Sequence, residues 1–302
     1  MTWRKKWKQH AGPYLMVFPC VAMLVIFAIY PLGWAFKYMF YDYDGFMPPR
    51  YIGFDNFVRL FTRDPQYWDS VWNTLIFTVG KLIVTLPLAL VLAFILNQKL
   101  FAKNTLRAII FMPTIISTAV ISLVFYLMFN SYNGIVNNML LDIGVIQKPI
   151  EWLGIKYSMV TVILVAIWGA VGNYMVLLLA GLQGIPNDLY EAASIDGANK
   201  RQQFMNITIP LLGPVMQIIF MLAIVNTLKS YESIMVLTGG GPGGKTEVMY
   251  LYLYKLFFPV SGGDAVVQQY GYGAAAGFVS AIIVGIITVI YLYGSRKSSE
   301  VH

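Results

Sequence analysis

Charge is scarce in this chain. Charged residues make up 12% of its 302 positions and apolar ones 58%, against roughly 25% charged in a soluble globular protein. Too little polar surface remains to face water, so the chain belongs in a bilayer. Histidine and cysteine are scarcer still: His10 and His302 are the two histidines, both terminal, and Cys20 is the single cysteine, set in an apolar run. An intrachain disulfide is excluded, and no His/Cys/carboxylate group has metal-ligand spacing, which argues against a metal site and a membrane-bound enzyme built on one. Carboxylates are absent from the middle of the apolar runs, where a self-contained proton-coupled carrier would need them.

The apolar runs themselves are long. About 20 apolar residues cross the hydrocarbon as a helix, and six segments qualify, at about 13–37, 71–96, 108–129, 158–183, 211–237 and 271–293. They must be helical, because an open strand edge in lipid leaves backbone groups unpaired. The expected fold is therefore an all-α membrane protein of six transmembrane helices. The basic N-terminus followed by an apolar run has the look of a signal peptide, but the run from Pro13 to Phe36 exceeds the roughly 7–15 residues of such a core and is read as a span. Six spans put both termini on one side. The segments 1–12, 97–107, 184–210 and 294–302 carry Arg4, Lys5, Lys6, Lys8, Lys99, Lys103, Arg107, Lys200, Arg201, Arg296 and Lys297. The opposite segments are longer and carry fewer, so the positive-inside rule places both termini in the cytoplasm. The net charge of +7 then reflects orientation in a lipid membrane, not a nucleic-acid footprint.

One stretch tempts a different reading. In "TGGGPGGKT" Gly239, Gly244, Lys245 and Thr246 match G-x-x-x-x-G-K-[ST], the phosphate-cradling loop of nucleotide hydrolases, and the apolar run "IMVL" precedes it as a strand would. The expected topology puts this loop outside, away from ATP, and no convincing acidic strand accompanies it. The match is read as a coincidence of glycines, and the chain as non-enzymatic.

The segment between the fourth and fifth spans is the unusual one: "GLQGIPNDLYEAASIDGANKRQQFMNITIPLLGP". Physically it reads as two short helices joined by a glycine. Pro186 and Asn187 break the fourth span, and Asp188 with Glu191 three residues on suggests a capping box. Gly197 suits a left-handed cap, and a second helix follows from about Ala198 to Thr208. A short helix with a small-residue face, projecting from the membrane, is shaped to enter a groove on another protein, and spacing alone allows a solvated connector equally.

Residues Glu191, Ala192, Ala193, Asp196, Gly197, Ala198, Phe204, Ile207, Pro210 and Pro214 resemble the EAA signature of permease subunits in bacterial binding-protein-dependent ABC importers. "PYLMVFPCVAMLVIFAIYPLGWAF", "YIGFDNFVRLF", "YWDSVWNTLIFTV" and "LTGGGPGGKTEVMYLYLYKLFF" resemble the carbohydrate-uptake branch of that family, maltose and oligosaccharide importers among them. The resemblance implies a single transmembrane domain over 1–302, with an EAA coupling segment at 188–214. It also implies that Glu191, Ala192, Ala193, Ser194, Ile195, Asp196, Gly197 and Ala198 form a coupling helix seated on a separate ATPase. Partners implied are a second, different permease, two copies of the ATP-binding subunit and an extracytoplasmic solute-binding protein, in the bacterial cytoplasmic (inner) membrane. ATP and Mg would be bound by the ATPase subunits, with no cofactor in this chain.

Within such a family the solute passes between two permeases near mid-membrane, so polar residues in the spans are the candidates. Trp168, Asn173 and Tyr174 in the fourth span, and Asn226, Thr227, Ser230 and Tyr231 in the fifth, offer aromatic faces beside amides and hydroxyls suited to a sugar. Each has a plainer reading as a helix-to-helix hydrogen-bonding group. Lys81 lies about 15 Å into the second span at 1.5 Å per residue, where an ionisable residue suggests function; the structural alternatives are snorkelling to the interface and pairing with a sister-chain carboxylate. Gly273, Gly277, Ala281 and Gly285 recur every four residues in the sixth span, a small-residue stripe for close helix contact. The alternative function, a self-contained secondary transporter of a polar solute, calls for internal repeats, and none is evident.

Overall fold

The computed structural model describes residues 3–98, 100–258 and 268–299, with side chains for 14–98, 100–258 and 268–295. Lys99 and His302 lie outside these residues, as do the side chains of Arg4, Lys5, Lys6, Lys8, His10, Arg296 and Lys297. The first helix, α1 (Trp3–Leu24), passes through a π turn at Val25–Ile29 into α2 (Tyr30–Tyr38). Two short strands, β1 (Tyr41–Asp42) and β2 (Arg50–Tyr51), lead to α3 (Asp55–Thr62) and the long α4 (Pro65–Asn97). Then come α5 (Lys103–Ile115), α6 (Thr118–Met128), α7 (Ile135–Asp142) and α8 (Ser158–Gln183). The segment after α8 holds α9 (Asn187–Ile195), α10 (Lys200–Gln203) and a second π turn at Phe204–Thr208, which runs into α11 (Ile209–Leu228). The rest is α12 (Glu232–Leu237), α13 (Met249–Phe257) and α14 (Tyr270–Ser299).

Both π turns stand just ahead of a proline, and the sequence supplies the reason. Proline removes an N–H and its ring presses on the carbonyl four residues back. Pro31 follows Val25–Ile29 and Pro210 follows Phe204–Thr208; in each case the residue before the proline donates five residues back, Tyr30 to Val25 and Ile209 to Phe204. The wider turn makes room for the ring and keeps the helix continuous.

Among the described residues five helical runs are long and apolar enough to cross a membrane: Tyr14–Tyr38, Pro65–Asn97, Ser158–Gln183, Lys200–Leu228 and Tyr270–Ser295. A sixth exists only if α5 and α6 count as one span, and they are bent by 93°. The single helix expected over 108–129 is therefore a broken one. Pro113 removes a donor in the last turn of α5, Ile116 and Ser117 adopt extended ψ values of 138° and 133°, and helix restarts at Thr118. The fifth span also differs from the expected 211–237. It ends at Leu228; Ser230 and Tyr231 interrupt it, and Glu232 opens the separate α12.

The chain forms two compact units, residues 1–64 with 253–281 and residues 65–252 with 282–302. In the first, β1 and β2 pair antiparallel with Tyr41 opposite Tyr51. Buried Asn56 on α3 donates to the Met39 and Tyr41 carbonyls at 3.0 Å each. α14 is approached closely at Gly271, where a Cβ would lie 2.0 Å from the Tyr41 carbonyl oxygen. The small-residue stripe expected on α14 is only partly a contact: Gly273 meets the Phe257 ring, while nothing lies within 4 Å of a Cβ at Gly277 or Gly285. The span Tyr14–Tyr38 buries none of its apolar window.

The second unit has its main core where α4, α8 and α11 meet, with Ala89, Ala93, Met175, Leu178, Leu179, Leu212 and Ala223. A second core gathers Phe77, Ile121, Val165, Ile234 and Leu251. Gly172 lets α8 run against the backbone of α5, since a Cβ there would stand 2.4 Å from the Ile110 carbonyl oxygen. Gly172→Ala should therefore force the two helices apart, at about 1–3 kcal/mol by analogy with core overpacking. A lower thermal midpoint of the detergent-purified chain is the expected result, and an unchanged midpoint would refute this close approach.

Candidate functional site

The segment between α8 and α11 is built to be rigid without being buried. α9 has no buried residue, and Ile195 at its end is 86% exposed. Its N-terminus is set by Pro186, whose ψ of 133° is the extended conformation of an N-cap. The capping box expected from Asp188 and Glu191 does not form: Pro186 takes the cap position with no side-chain hydrogen bond, which leaves Asp188 inside the first turn. There its carboxylate still favours the helix dipole. The capping box lies one helix later. Asn199 accepts from the Gln202 amide at 2.9 Å and its own N–H donates to the Gln202 side chain at 2.8 Å, the reciprocal arrangement that N-x-x-Q allows.

Gly197 closes α9 with φ +81°. The Ala198 N–H donates to the Ala193 carbonyl at 2.9 Å and the Gly197 N–H to Ser194 at 3.2 Å, the paired bonds of a Schellman cap that only a residue tolerant of positive φ accommodates. Gln203 then ties the two helices together. It is buried, and its Nε2 donates to the Ser194 hydroxyl at 2.8 Å and the Tyr190 carbonyl at 3.3 Å. The Tyr190 hydroxyl is 2.9 Å from the Thr208 hydroxyl. Fixed from below by Gln203 and Thr208, the face bearing Leu189, Glu191, Ala192 and Ile195 is exposed. Sequence reasoning found the glycine and the helix but missed Gln203, whose role depends on a contact across the turn.

The polar residues of the spans fall into separate places. Lys81 and Ser230 line one cavity, with Thr114, Thr118, Ser122 and Ser233. Tyr174 is buried. Trp168 is on an open surface and packs edge-on against Phe125 at 5.2 Å. Asn173 and Asn226 are exposed, Tyr231 packs beside the Phe77 core, and Thr227 is fully buried with an unpartnered hydroxyl. No single cluster unites them.

The loop that matches the phosphate-binding pattern has a different surround from the one that pattern needs. "IMVL" before it belongs to α12, a helix. The Thr246 hydroxyl is buried within the loop, 2.7 Å from the Thr238 hydroxyl and donating to the Gly241 carbonyl at 2.8 Å. Asn73 on α4 donates to the Gly244 and Glu247 carbonyls, fastening the loop to the helix. Among the described residues no group of His, Cys, Asp or Glu is placed to hold a metal.

Residues 85–298 match the family of binding-protein-dependent transport system inner membrane components. The trehalose/maltose transport system permease protein MalF of Thermococcus litoralis is 34% identical over 98% of this chain and 97% of its own length. The lactose transport system permease protein LacF of Rhizobium radiobacter is 34% identical over 94% of each chain. Among solved structures, a chain of a bacterial alginate ABC transporter, in complex with its alginate pentasaccharide-bound periplasmic protein, superposes with a TM-score of 0.82 at 26% identity over 98% of both chains. A multi-pass membrane protein with these matches over nearly its whole length belongs to the binding-protein-dependent ABC importer permeases.

Proposed function

We propose that the chain forms half of the translocation path for a carbohydrate and couples it, through α9, to a separate ATPase subunit. The observation that carries the coupling role is the state of α9: it is held rigidly by Gln203, the Gly197 cap and the Tyr190–Thr208 contact, yet buries none of its own residues. A solvated connector has no need of such bracing. A lever that must pass displacement from one protein to another does, because a flexible link would absorb the motion. Glu191 to Ala198 present the docking face, with exposed Leu189 and Ile195 as its apolar anchors.

The relatives' names support a sugar as the solute: trehalose and maltose for one, lactose for another, and alginate for the structural neighbour. Trp168, Asn173, Tyr174, Asn226, Thr227, Ser230 and Tyr231 are proposed for the path. The exposed Trp168, Asn173 and Asn226 are the ones accessible in this conformation. A different sister permease would supply the other half, two ATPase subunits would hold ATP and Mg, and an external binding protein would deliver solute. The glycine loop 239–246 is read as structural, since its threonine is engaged internally. Solute delivery on one side and ATP-driven closure on the other would bias an inward-open to outward-open equilibrium through differential contacts in the two states.

Two experiments test this reading. In a Cys20→Ser background, Ser194→Cys should react with a membrane-impermeant maleimide in inverted vesicles and not in intact cells; labelling from outside would reverse the proposed orientation. Gly197→Pro replaces a φ of +81° with one locked near −65°. Uptake of the sugar carried by the wild type should fall by about tenfold or more, with membrane insertion and helical circular dichroism unchanged. Wild-type uptake by that variant would refute the lever.

A further inference from the structure

Lys81 is 8% exposed and sits in α4 with its Nζ 5.8 Å from the centre of the Phe77 ring. It lines a cavity of about 140 Å³ together with Thr114, Thr118, Ser122, Ser230 and Ser233, and no carboxylate is among the lining residues. Among the described residues no carboxylate pairs with it. Two of the hydroxyls around it are also without partners: Ser122 Oγ, on a fully buried residue, and Thr114 Oγ1. The cavity lies in the elbow of the broken span, so the first turn of the eleven-residue α6 begins at its wall. The N-cap of that helix, Ser117, makes no side-chain hydrogen bond to the free N–H groups.

Each of these features favours an anionic partner. A buried ammonium without a counter-ion is strongly disfavoured, orphaned hydroxyls lose their solvation, and an uncapped helix start carries partial positive charge. A single ligand chemistry resolves all three at once: an oxygen-bearing or halide anion that accepts from Lys81, Ser122, Thr114 and the start of α6. The volume far exceeds the about 10–15 Å³ that admits one water, so a carboxylate group with accompanying water fits. A broken helix whose half-helix start faces a polar cavity inside a membrane protein suits the same charge.

We propose that this cavity is an anion site, taking a carboxylate-sized group held by the Lys81 ammonium and the Ser122 and Thr114 hydroxyls. The group arrives either on an acidic solute or as a free small ion. The proposal goes beyond the carbohydrate reading and is tested by binding alone, so the failure of one leaves the other standing. The test is the thermal midpoint of the full-length chain, purified in mild detergent with its co-purifying subunits. Sodium acetate, chloride, phosphate and digalacturonate are titrated in turn, with ionic strength held by a bulky sulfonate buffer. The wild type should show a saturable rise with acetate. Lys81→Met should abolish it, and Ser122→Ala and Thr114→Val should each weaken the apparent affinity by roughly fivefold, the loss of one hydrogen bond. The two hydroxyl variants decide the matter if Lys81→Met does not fold. A matching rise with digalacturonate that competes with acetate assigns the anion to the solute; a rise with acetate or chloride alone assigns it to a free ion. No saturable rise with any of the four, or an undiminished rise in Lys81→Met or in both hydroxyl variants, overturns the proposal.

Discussion

Hydrocarbon offers no partner to a backbone N–H or C=O, so irregular backbone at membrane depth has to be enclosed by protein. Among the described residues two breaks interrupt the apolar runs of the 65–252 and 282–302 unit, the elbow at Ile116–Ser117 and the interruption at Lys229–Tyr231. Both abut one cavity, which Ile116 lines from the elbow and Ser230 from the interruption after α11. The cavity is thus a consequence of where the helices stop. Lys81 of α4 and Val165, Ala166, Gly169 and Ala170 of α8 form another part of its wall, and Gly172 lets α5, which supplies Pro113 and Thr114, approach α8 closely. Pro31 and Pro210 do not need this protection, because π turns ahead of them keep their helices unbroken.

How much of this was legible in the sequence follows from the range of each interaction. The apolar runs at α4, α8 and α11 were visible as runs because burial in lipid acts on composition. Gly197 was visible because a left-handed cap is a local demand that few residues meet. The elbow was missed, although Pro113, the β-branched Thr114, Ile115 and Ile116, and the cap-forming Ser117 all announce a stop and a restart; an unbroken apolar stretch outweighed them. The capping box was misplaced for a related reason. Both Asp188–Glu191 and Asn199–Gln202 have the right spacing, and Pro186 decided between them by starting α9 early enough to leave Asp188 inside the helix. Gln203 and the close approach at Gly271 depend on distant partners and had no signal in the local sequence.

The family assignment narrows what these features are for. A self-contained carrier would use paired broken helices around its own coupling-ion site, whereas members of this family are components of binding-protein-dependent systems. The proposed division of labour assigns α9 to receive motion and the span residues to guide solute, with no bond chemistry in the chain. The scarcity of histidine and carboxylate in the spans fits a component whose energy comes from elsewhere.

On this reading the chain works as a docked subunit whose exposed, braced α9 has a partner. Tagging the C-terminus, extracting mildly from native membranes and identifying the co-purifying proteins by mass spectrometry tests it most directly. The account predicts an ATP-binding subunit together with a second multi-span permease. Reproducible recovery of the chain alone, still folded, would contradict it.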